Sequence, residues 1–143
     1  WVVPTNMFRC KDGWVFINIT PNFWDACVAF LQLPELIIDS RFETNASRMA
    51  NRNELHHIIQ DTIANEDKEE LRFRATECRI PLGVVMTFDE VLEDPHLFAR
   101  DFWQEPVGWK GLRIPDIPFR FNEIKRDPPS VMQLVDVDKV WNG

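Results

Sequence analysis

Two short runs of mainly apolar residues, 7–10 and 14–19, are separated only by Lys11-Asp12-Gly13. Asp-Gly between two such runs is a strong signal for a tight β-hairpin, because glycine accepts the positive φ that such turns require. We therefore predict an antiparallel strand pair at the start of the chain, with Gly13 in the left-handed region. Any fold for this chain must contain a sheet that begins before residue 20.

Helical patterns dominate the middle of the chain. Apolar residues recur at helical spacing over 22–33, between two prolines, and again over 51–64. Residues 65–67 supply a cap and an acidic first turn for a further helix that runs to Ala75. The sequence predicts three amphipathic helices after the hairpin.

A second group of short elements follows. Residues 79–86 read as a turn leading into a short apolar strand, and Thr87-Phe88-Asp89-Glu90 has the form of a capping box. Asp94-Pro95 starts another helix, with Asp as N-cap and Pro at the first helical position. The fold class predicted from these patterns is α+β, a small antiparallel sheet with several flanking helices.

The last part of the chain, 106–143, is Pro-rich and lacks a clear hydrophobic period. Only short strands, 102–103 and 119–121, are predicted near it. Its aromatic rings are Trp109, Phe119, Phe121 and Trp141. Because leaving that much apolar surface in water is unfavourable, we predict an extended tail that packs along another surface.

Charge and composition exclude several classes of protein. The net charge is −7, with 23 acidic and 16 basic side chains, which argues against a nucleic-acid partner. No apolar run approaches the roughly 18 residues that span a bilayer, so we expect a soluble, cytoplasmic protein. Three cysteines without CxxC spacing predict buried thiols and no zinc site. The chain opens on Trp1 without a methionine, and we expect it to be cut from a longer polypeptide.

Catalytic and metal-binding signals are weak. His56 and His57 are adjacent, whereas helical metal ligands are three or four residues apart, so we interpret them as surface or half-buried residues. His57 and Asp61 have the spacing of a base and its orienting group, but no nucleophile lies near them in sequence. The acidic runs 66–70 and 89–94 are most simply helix caps and solvated faces. No GxGxxG, GxxxxGK or GxSxG motif is present.

Thr20-Pro21-Asn22 is the best candidate for ligand contact. These polar residues lie where the predicted hairpin ends and a helix begins, a position where ligands are often bound. The simpler interpretation is a helix cap. Both interpretations stay open at the level of sequence.

An ordered set of short motifs resembles the family III CoA-transferases, which include carnitine dehydratase and bile-acid-inducible protein F relatives, formyl-CoA transferase and α-methylacyl-CoA racemase. The motifs cover about residues 7 to 122. In chain order they are Phe8-Arg9-Cys10-Lys11-Asp12-Gly13-Trp14-Val15, Pro21-x-Phe23-Trp24, Asp39-Ser40-Arg41-Phe42-Glu43-Thr44 with Arg48 and Asn51, Ile80-Pro81-x-Gly83-Val84-Val85, and Phe88-x-Glu90-Val91-x-x-Asp94-Pro95-His96 with Ala99 and Arg100. The closing segment 135–141 is also similar to some racemase-like members.

The resemblance implies a part of a larger enzyme. Residues 1–105 are similar to the small α+β domain of the family, and 106–143 would be the segment that returns to the large domain. The family's aspartate nucleophile is expected upstream, so no catalytic residue is expected in this chain. Thr20 and Asn22 are then candidates for the wall of the acyl pocket. A CoA thioester is the implied substrate with a carboxylic acid, no tightly bound cofactor or metal is expected, and the implied assembly is a homodimer.

One departure from the family bears on the reaction. Racemase-like members carry a glutamate just before Pro-x-Phe, and here that position is Thr20. A threonine hydroxyl does not act as a proton-transfer base at neutral pH, which favours CoA transfer over racemisation. A racemase-like enzyme, a catalytically dead paralogue and a free-standing protein-interaction module with a Trp-rich face remain the alternatives.

Overall fold

The computed structural model describes residues 2–117 and 119 and confirms the α+β fold class. The chain divides into two units, residues 1–87 and the part that begins at Phe88. The first unit contains, in order, β1 (Thr5–Cys10), β2 (Gly13–Asn18), a 3₁₀ turn (Pro21–Phe23), α1 (Trp24–Leu31), a 3₁₀ turn (Pro34–Ile37), α2 (Asn45–Ala50), α3 (Arg52–Ile63), α4 (Lys68–Glu77) and β3 (Leu82–Val85). The second contains α5 (Phe88–Leu92), α6 (Pro95–Ala99), β4 (Trp103–Gln104) and β5 (Ile114–Pro115).

The predicted hairpin is confirmed, but the role given to Gly13 is wrong. Strands β1 and β2 pair antiparallel with Cys10 opposite Gly13, so the turn consists of Lys11 and Asp12 alone. Gly13 is the first residue of β2 and does not have a positive φ. A Cβ at Gly13 would meet the Lys68 side chain at 3.5 Å, an ordinary contact. Backbone strain therefore gives no reason for a large loss of stability on substituting this glycine.

The hairpin turn is held by the connection between α3 and α4. Asp12 Oδ1 accepts a hydrogen bond from the backbone N–H of Lys68 at 2.8 Å, and the Lys11 N–H donates to Glu66 O at 3.0 Å. Asp67, the N-cap residue of α4, makes no side-chain cap bond. Asp12 thus caps α4 from a distant part of the chain, and the bond from Lys68 N–H holds the pKa of the Asp12 carboxyl below its usual value.

Replacing Asp12 by Ala is expected to lower the free energy of unfolding by about 1 kcal/mol, the typical cost of a lost cap. Because the folded pKa of Asp12 is lowered, its contribution is present above the ordinary carboxyl pKa and is lost as pH falls through the folded value. Urea titrations between about pH 6 and pH 3 should show the two stabilities converging. Asp12→Asn retains an acceptor oxygen and should lose less, and Asp61→Ala on an exposed position is the matched control. A constant difference across this pH range would contradict the remote cap.

The hydrophobic core of the first unit lies against one face of the sheet. Strand order is β1-β2-β3, and β3 pairs antiparallel with the central strand β2. Alternate residues of the hairpin point inward and are buried, whereas Met7, Trp14 and Phe16 on the other face are exposed. The largest fully buried apolar side chains are Phe8, Val15 and Ile17 of the hairpin, Ile19 after it, Phe30 and Leu31 of α1, Phe42 of the loop before α2, Leu55, Ile59 and Ile63 of α3, and Leu71 of α4.

All three cysteines are free thiols, and the prediction that they are buried holds for two of them. Cys10 and Cys27 are buried and Cys78 is half-buried. Burial raises the pKa of the Cys27 thiol to about 12, so almost no reactive thiolate is present at neutral pH. In the native protein we expect a thiol-specific reagent to modify Cys78 well before Cys27, and all three at similar rates in denaturant. Peptide mapping by mass spectrometry checks this, and equal native labelling of Cys27 and Cys78 would contradict the burial.

The helices begin and end close to the predicted positions, with two differences. The pattern over 22–33 is not one helix, because Pro21–Phe23 form a 3₁₀ turn before α1, and α1 ends where Gln32 takes a positive φ of 60°. Helix α2 was not predicted at all. Its N-terminus is a capping box in which Thr44 and Ser47 exchange side-chain and backbone hydrogen bonds.

The second unit starts with two short helices. Asp94 caps α6 as predicted, since its Oδ1 accepts from His96 N–H at 2.7 Å and Leu97 N–H at 3.0 Å. The strand predicted at 102–103 lies one residue later, in β4, which pairs antiparallel with β5. Arg113 donates to Leu92 O and to Glu93 within the same unit.

Part of the predicted tail is described and part is not. Trp109 and Phe119 are exposed. Phe121, Trp141, residues 120–121 of the predicted strand and the motif over 135–141 lie outside the described residues. The division between a small domain at 1–105 and a return segment at 106–143 remains a prediction.

Candidate functional site

A sharp corner joins β2 to α1 and carries both candidate ligand-contacting residues. Ile19 N–H donates to Pro4 O at 2.9 Å, which holds the end of β2 beside the start of β1. Thr20 is extended, with φ −73° and ψ 159°, and its carbonyl accepts from Phe23 N–H at 2.9 Å. Pro21 occupies the first position of the 3₁₀ turn, where its fixed φ and missing N–H are tolerated. We call residues 19–22 the corner.

The side chains of Thr20 and Asn22 project from the corner into solvent. Both residues are exposed, and neither side chain makes a hydrogen bond within the part of the chain that the structure describes. Thr20 is the N-cap residue of the 3₁₀ turn by its backbone position, but its hydroxyl makes no capping hydrogen bond. A hydroxyl and an amide without internal partners are available to bind a ligand group.

A buried arginine lies behind this corner. Arg48 of α2 is only 2% exposed, and its guanidinium stands 4.4 Å from the centre of the Trp24 ring, the first residue of α1. Its Nε donates to Val3 O at 3.1 Å, and Nη1 donates to Phe42 O at 2.7 Å and to Glu43 O at 3.3 Å. Desolvation lowers the pKa of Arg48 from its usual value. Sequence periodicity gave no sign of this residue beyond its place in the family motif.

The histidines lie away from the corner and behave as interpreted. His56 is half-buried, its ring meets Phe8 edge to face at 5.5 Å, and burial lowers its pKa. His57 is exposed on the same helix. Among the described residues no hydrogen bond joins His57 to Asp61, so the base and orienter interpretation has no support.

Acidic side chains of the run 66–70 form ion pairs and hydrogen bonds within the fold. Asp67 pairs with Lys11 at 2.9 Å, and Glu66 accepts two hydrogen bonds from Arg74. Glu69 pairs with Arg72 on the surface of α4. These contacts agree with the interpretation of the run 66–70 as a solvated, ion-paired helix start.

The described residues form a cavity beside α1 that the corner does not line, and they contain no metal-binding cluster. A shallow cavity of about 200 Å3 lies beside α1, and Thr20 and Asn22 are not among its lining residues, which are Asp25, Val28, Ala29, Gln32, Pro34 and Ile37. Within residues 2–117 and 119, no cluster of three or more acidic, histidine or cysteine side chains could hold a metal ion. Nor is any helix in that part both long and apolar enough for a membrane span.

Sequence comparison decides which family the chain comes from. The profile of CoA-transferase family III matches residues 1–132. The chain belongs to this family. Among related CoA-transferases, succinyl-CoA:glutarate CoA-transferase of Homo sapiens is 28% identical over 140 residues, 92% of this chain. Succinyl-CoA–D-citramalate CoA-transferase of Chloroflexus aurantiacus is 33% identical over 102 residues, 69% of the chain.

Solved structures of related proteins share the fold. A CAIB/BAIF family protein from Brucella suis superposes with a TM-score of 0.78 at 26% identity and covers 91% of this chain. A protein of Mycobacterium tuberculosis gives a TM-score of 0.75 at 22% identity, again over 91% of the chain, which shows the fold alone.

The chain spans only part of these family III relatives. It covers 32% of the human enzyme, 25% of the Chloroflexus enzyme and 34% of the Brucella chain. A third of a CoA-transferase, matched over nearly the whole of this chain, agrees with the expectation of a small domain.

Proposed function

We propose that this chain is the small domain of a CoA-transferase that moves CoA from succinyl-CoA to a short dicarboxylic acid. The observation that supports the proposal most strongly is the pair of substrates for which the related enzymes are named. The human, Chloroflexus and Haloarcula hispanica enzymes are named for succinyl-CoA with glutarate, D-citramalate and mesaconate, and all three acceptors are dicarboxylates. The acyl site must then bind a second, unreactive carboxylate as well as the thioester.

The proposed reaction is an exchange between two acids. The C–S bond of succinyl-CoA breaks and a C–S bond to the acceptor acyl carbon forms, so that succinate gains one carboxylate oxygen and the acceptor loses one. By an anhydride route, the oxygen that succinate gains comes from the nucleophilic carboxylate, which takes its replacement from the acceptor. No oxidant, reductant or net proton is needed. The resemblance to the family implies an aspartate that forms the acyl anhydride upstream of this chain, and we propose that this chain contributes binding rather than the nucleophile.

The corner supplies groups suited to the second carboxylate. The Thr20 hydroxyl and the Asn22 amide are neutral hydrogen-bond donors, exposed and without partners within residues 2–117 and 119. We propose that they line the acyl pocket and donate to the distal carboxylate of the bound acid. A carboxylate at the Thr20 position would repel that group, which makes the departure from racemase-like members favourable for a dicarboxylate transferase.

We also propose a location, an assembly and a domain division for the complete enzyme. The active protein is a cytoplasmic homodimer whose substrates are an acyl-CoA and a carboxylic acid, with no tightly bound cofactor. Residues 1–105 form the small domain, and 106–143 return to the large domain. A racemase-like or inactive paralogue is the second candidate, and a free-standing interaction module is the third.

The role of the corner can be tested by kinetics on the complete protein that contains this chain. Thr20→Ala and Asn22→Ala should each raise the KM for the acceptor acid about tenfold with a smaller change in kcat, because each removes one hydrogen bond to a charged group. Thr76→Ala and Asn53→Ala replace exposed residues of the same types on α4 and α3 and serve as matched controls. If the corner variants match these controls in KM, the corner does not contact the acid.

A further inference from the structure

Arg48 is a buried cation that forms no salt bridge within the described residues, and the Asp25 carboxylate acts on it only through its charge. It is 2% exposed, and in the described part of the chain its hydrogen bonds go only to backbone carbonyls. Burying an unpaired charge is unfavourable, and an apolar side chain of similar size would fill the same space at lower cost. What distinguishes the guanidinium is its rigid fork, which can bind several fixed acceptors at once.

The contacts of Arg48 join three separate segments around the corner. Its Nε binds Val3 O, and the next residue, Pro4, accepts the Ile19 N–H that ends β2. Its Nη1 donates a hydrogen bond to Phe42 O, which connects Arg48 to the loop before α2. The guanidinium carbon lies over the Trp24 ring, 4.4 Å from its centroid.

The Arg48 guanidinium is the main polar group that contacts the Trp24 ring. Its indole N–H is buried and has no acceptor among the described residues, so no hydrogen bond from that part of the chain fixes the ring. The cation above the ring face is the specific polar interaction that remains. Arg48 therefore holds the chain on both sides of the corner, at Val3-Pro4 before it and at Trp24 after it.

We propose that Arg48 is a positioning residue for the acyl site, which sets the place of Thr20 and Asn22 without touching substrate. This inference rests on the proposed function, because it assumes that the corner lines the acyl pocket. Between the two held points the turn is closed by backbone hydrogen bonds from Phe23 N–H to Thr20 O and from Trp24 N–H to Pro21 O. Loss of the fork leaves that short turn to sample other positions, and a displacement of about 1 Å is enough to weaken a specific site severely.

The test uses Arg48→Lys in the complete protein, which keeps the charge but replaces the planar fork with a single ammonium. Arg72→Lys is the matched control, since Arg72 is exposed and pairs only with Glu69 in the described residues. Trp24→Phe is a second variant that leaves the Arg48 side chain in place. The measurements are KM for the acceptor acid, the inhibition constant of free CoA, and hydrogen–deuterium exchange of peptides covering 17–24.

For Arg48→Lys we expect the KM for the acid to rise about tenfold. The inhibition constant of CoA should stay unchanged, and deuterium uptake should rise in 17–24 but not in α4. Trp24→Phe should shift the same quantities in the same direction by less, and Arg72→Lys should shift none of them.

Two results would overturn the inference. One is transfer activity with an unchanged KM for the acid in Arg48→Lys and Trp24→Phe, in which case the proposed function stands and the positioning role does not. The other is a uniform rise in exchange throughout the first unit, which would make Arg48 a general stabilising residue. If the wild-type protein transfers no CoA, the proposed function fails, and exchange at 17–24 still decides whether Arg48 fixes the corner.

Discussion

Replacing Ile17 by Ala is expected to lower the free energy of unfolding by about 3 kcal/mol. Ile17 is fully buried on the central strand β2, opposite Leu82 of β3. Truncation removes apolar contacts and leaves a cavity between sheet and helices that the paired strands cannot close. Equilibrium unfolding in urea, monitored by circular dichroism, measures the loss.

The matched control is its neighbour Phe16, which lies on the opposite face of the same strand and is 40% exposed. Phe16→Ala should cost about 1 kcal/mol or less, although it removes a larger side chain. Because a slip of one residue moves every side chain of a strand to the other face, the ratio of the two losses tests the strand register directly. A larger loss for Phe16 than for Ile17 would contradict the assigned pairing.

The 143-residue polypeptide on its own is expected to transfer no CoA and to bind CoA with a dissociation constant weaker than micromolar. It matches about a third of the length of its relatives. The family resemblance implies that the nucleophile lies upstream, and we expect none in this polypeptide. The assays are transfer between an acyl-CoA and free carboxylates, followed by mass spectrometry, and calorimetry with CoA. Turnover above the blank or micromolar affinity would refute this part of the account.

The hairpin and the longer helices could be predicted because their signals are local. Asp12-Gly13 located the turn, and the apolar stripe over 51–64 located α3 within one residue at each end. The role of Gly13 could not be predicted in the same way. The turn conformation depends on Asp12 capping α4, a contact between residues 56 positions apart that no local rule contains.

The environment of the candidate site was less predictable than its position. Thr20 and Asn22 stood out because they are polar residues at a strand–helix junction. Arg48 was visible only as part of a motif, since a charged residue in a short helix suggests an exposed face. Its burial follows from the Val3 carbonyl and the Trp24 ring, which distant segments supply, together with the carbonyls of Phe42 and Glu43 just before the helix. Helix α2 itself is too short to give a clear hydrophobic period.

The most direct test of the account is a single incubation of the complete protein in D2O with succinyl-CoA and a panel of short dicarboxylates that includes glutarate, citramalate and mesaconate. We predict that at least one acid is converted to its CoA thioester, with an equal amount of succinate released and no deuterium at the carbon next to the thioester. Deuterium incorporation at the carbon next to the thioester of succinyl-CoA, without formation of a new thioester, would contradict CoA transfer and favour the racemase-like alternative.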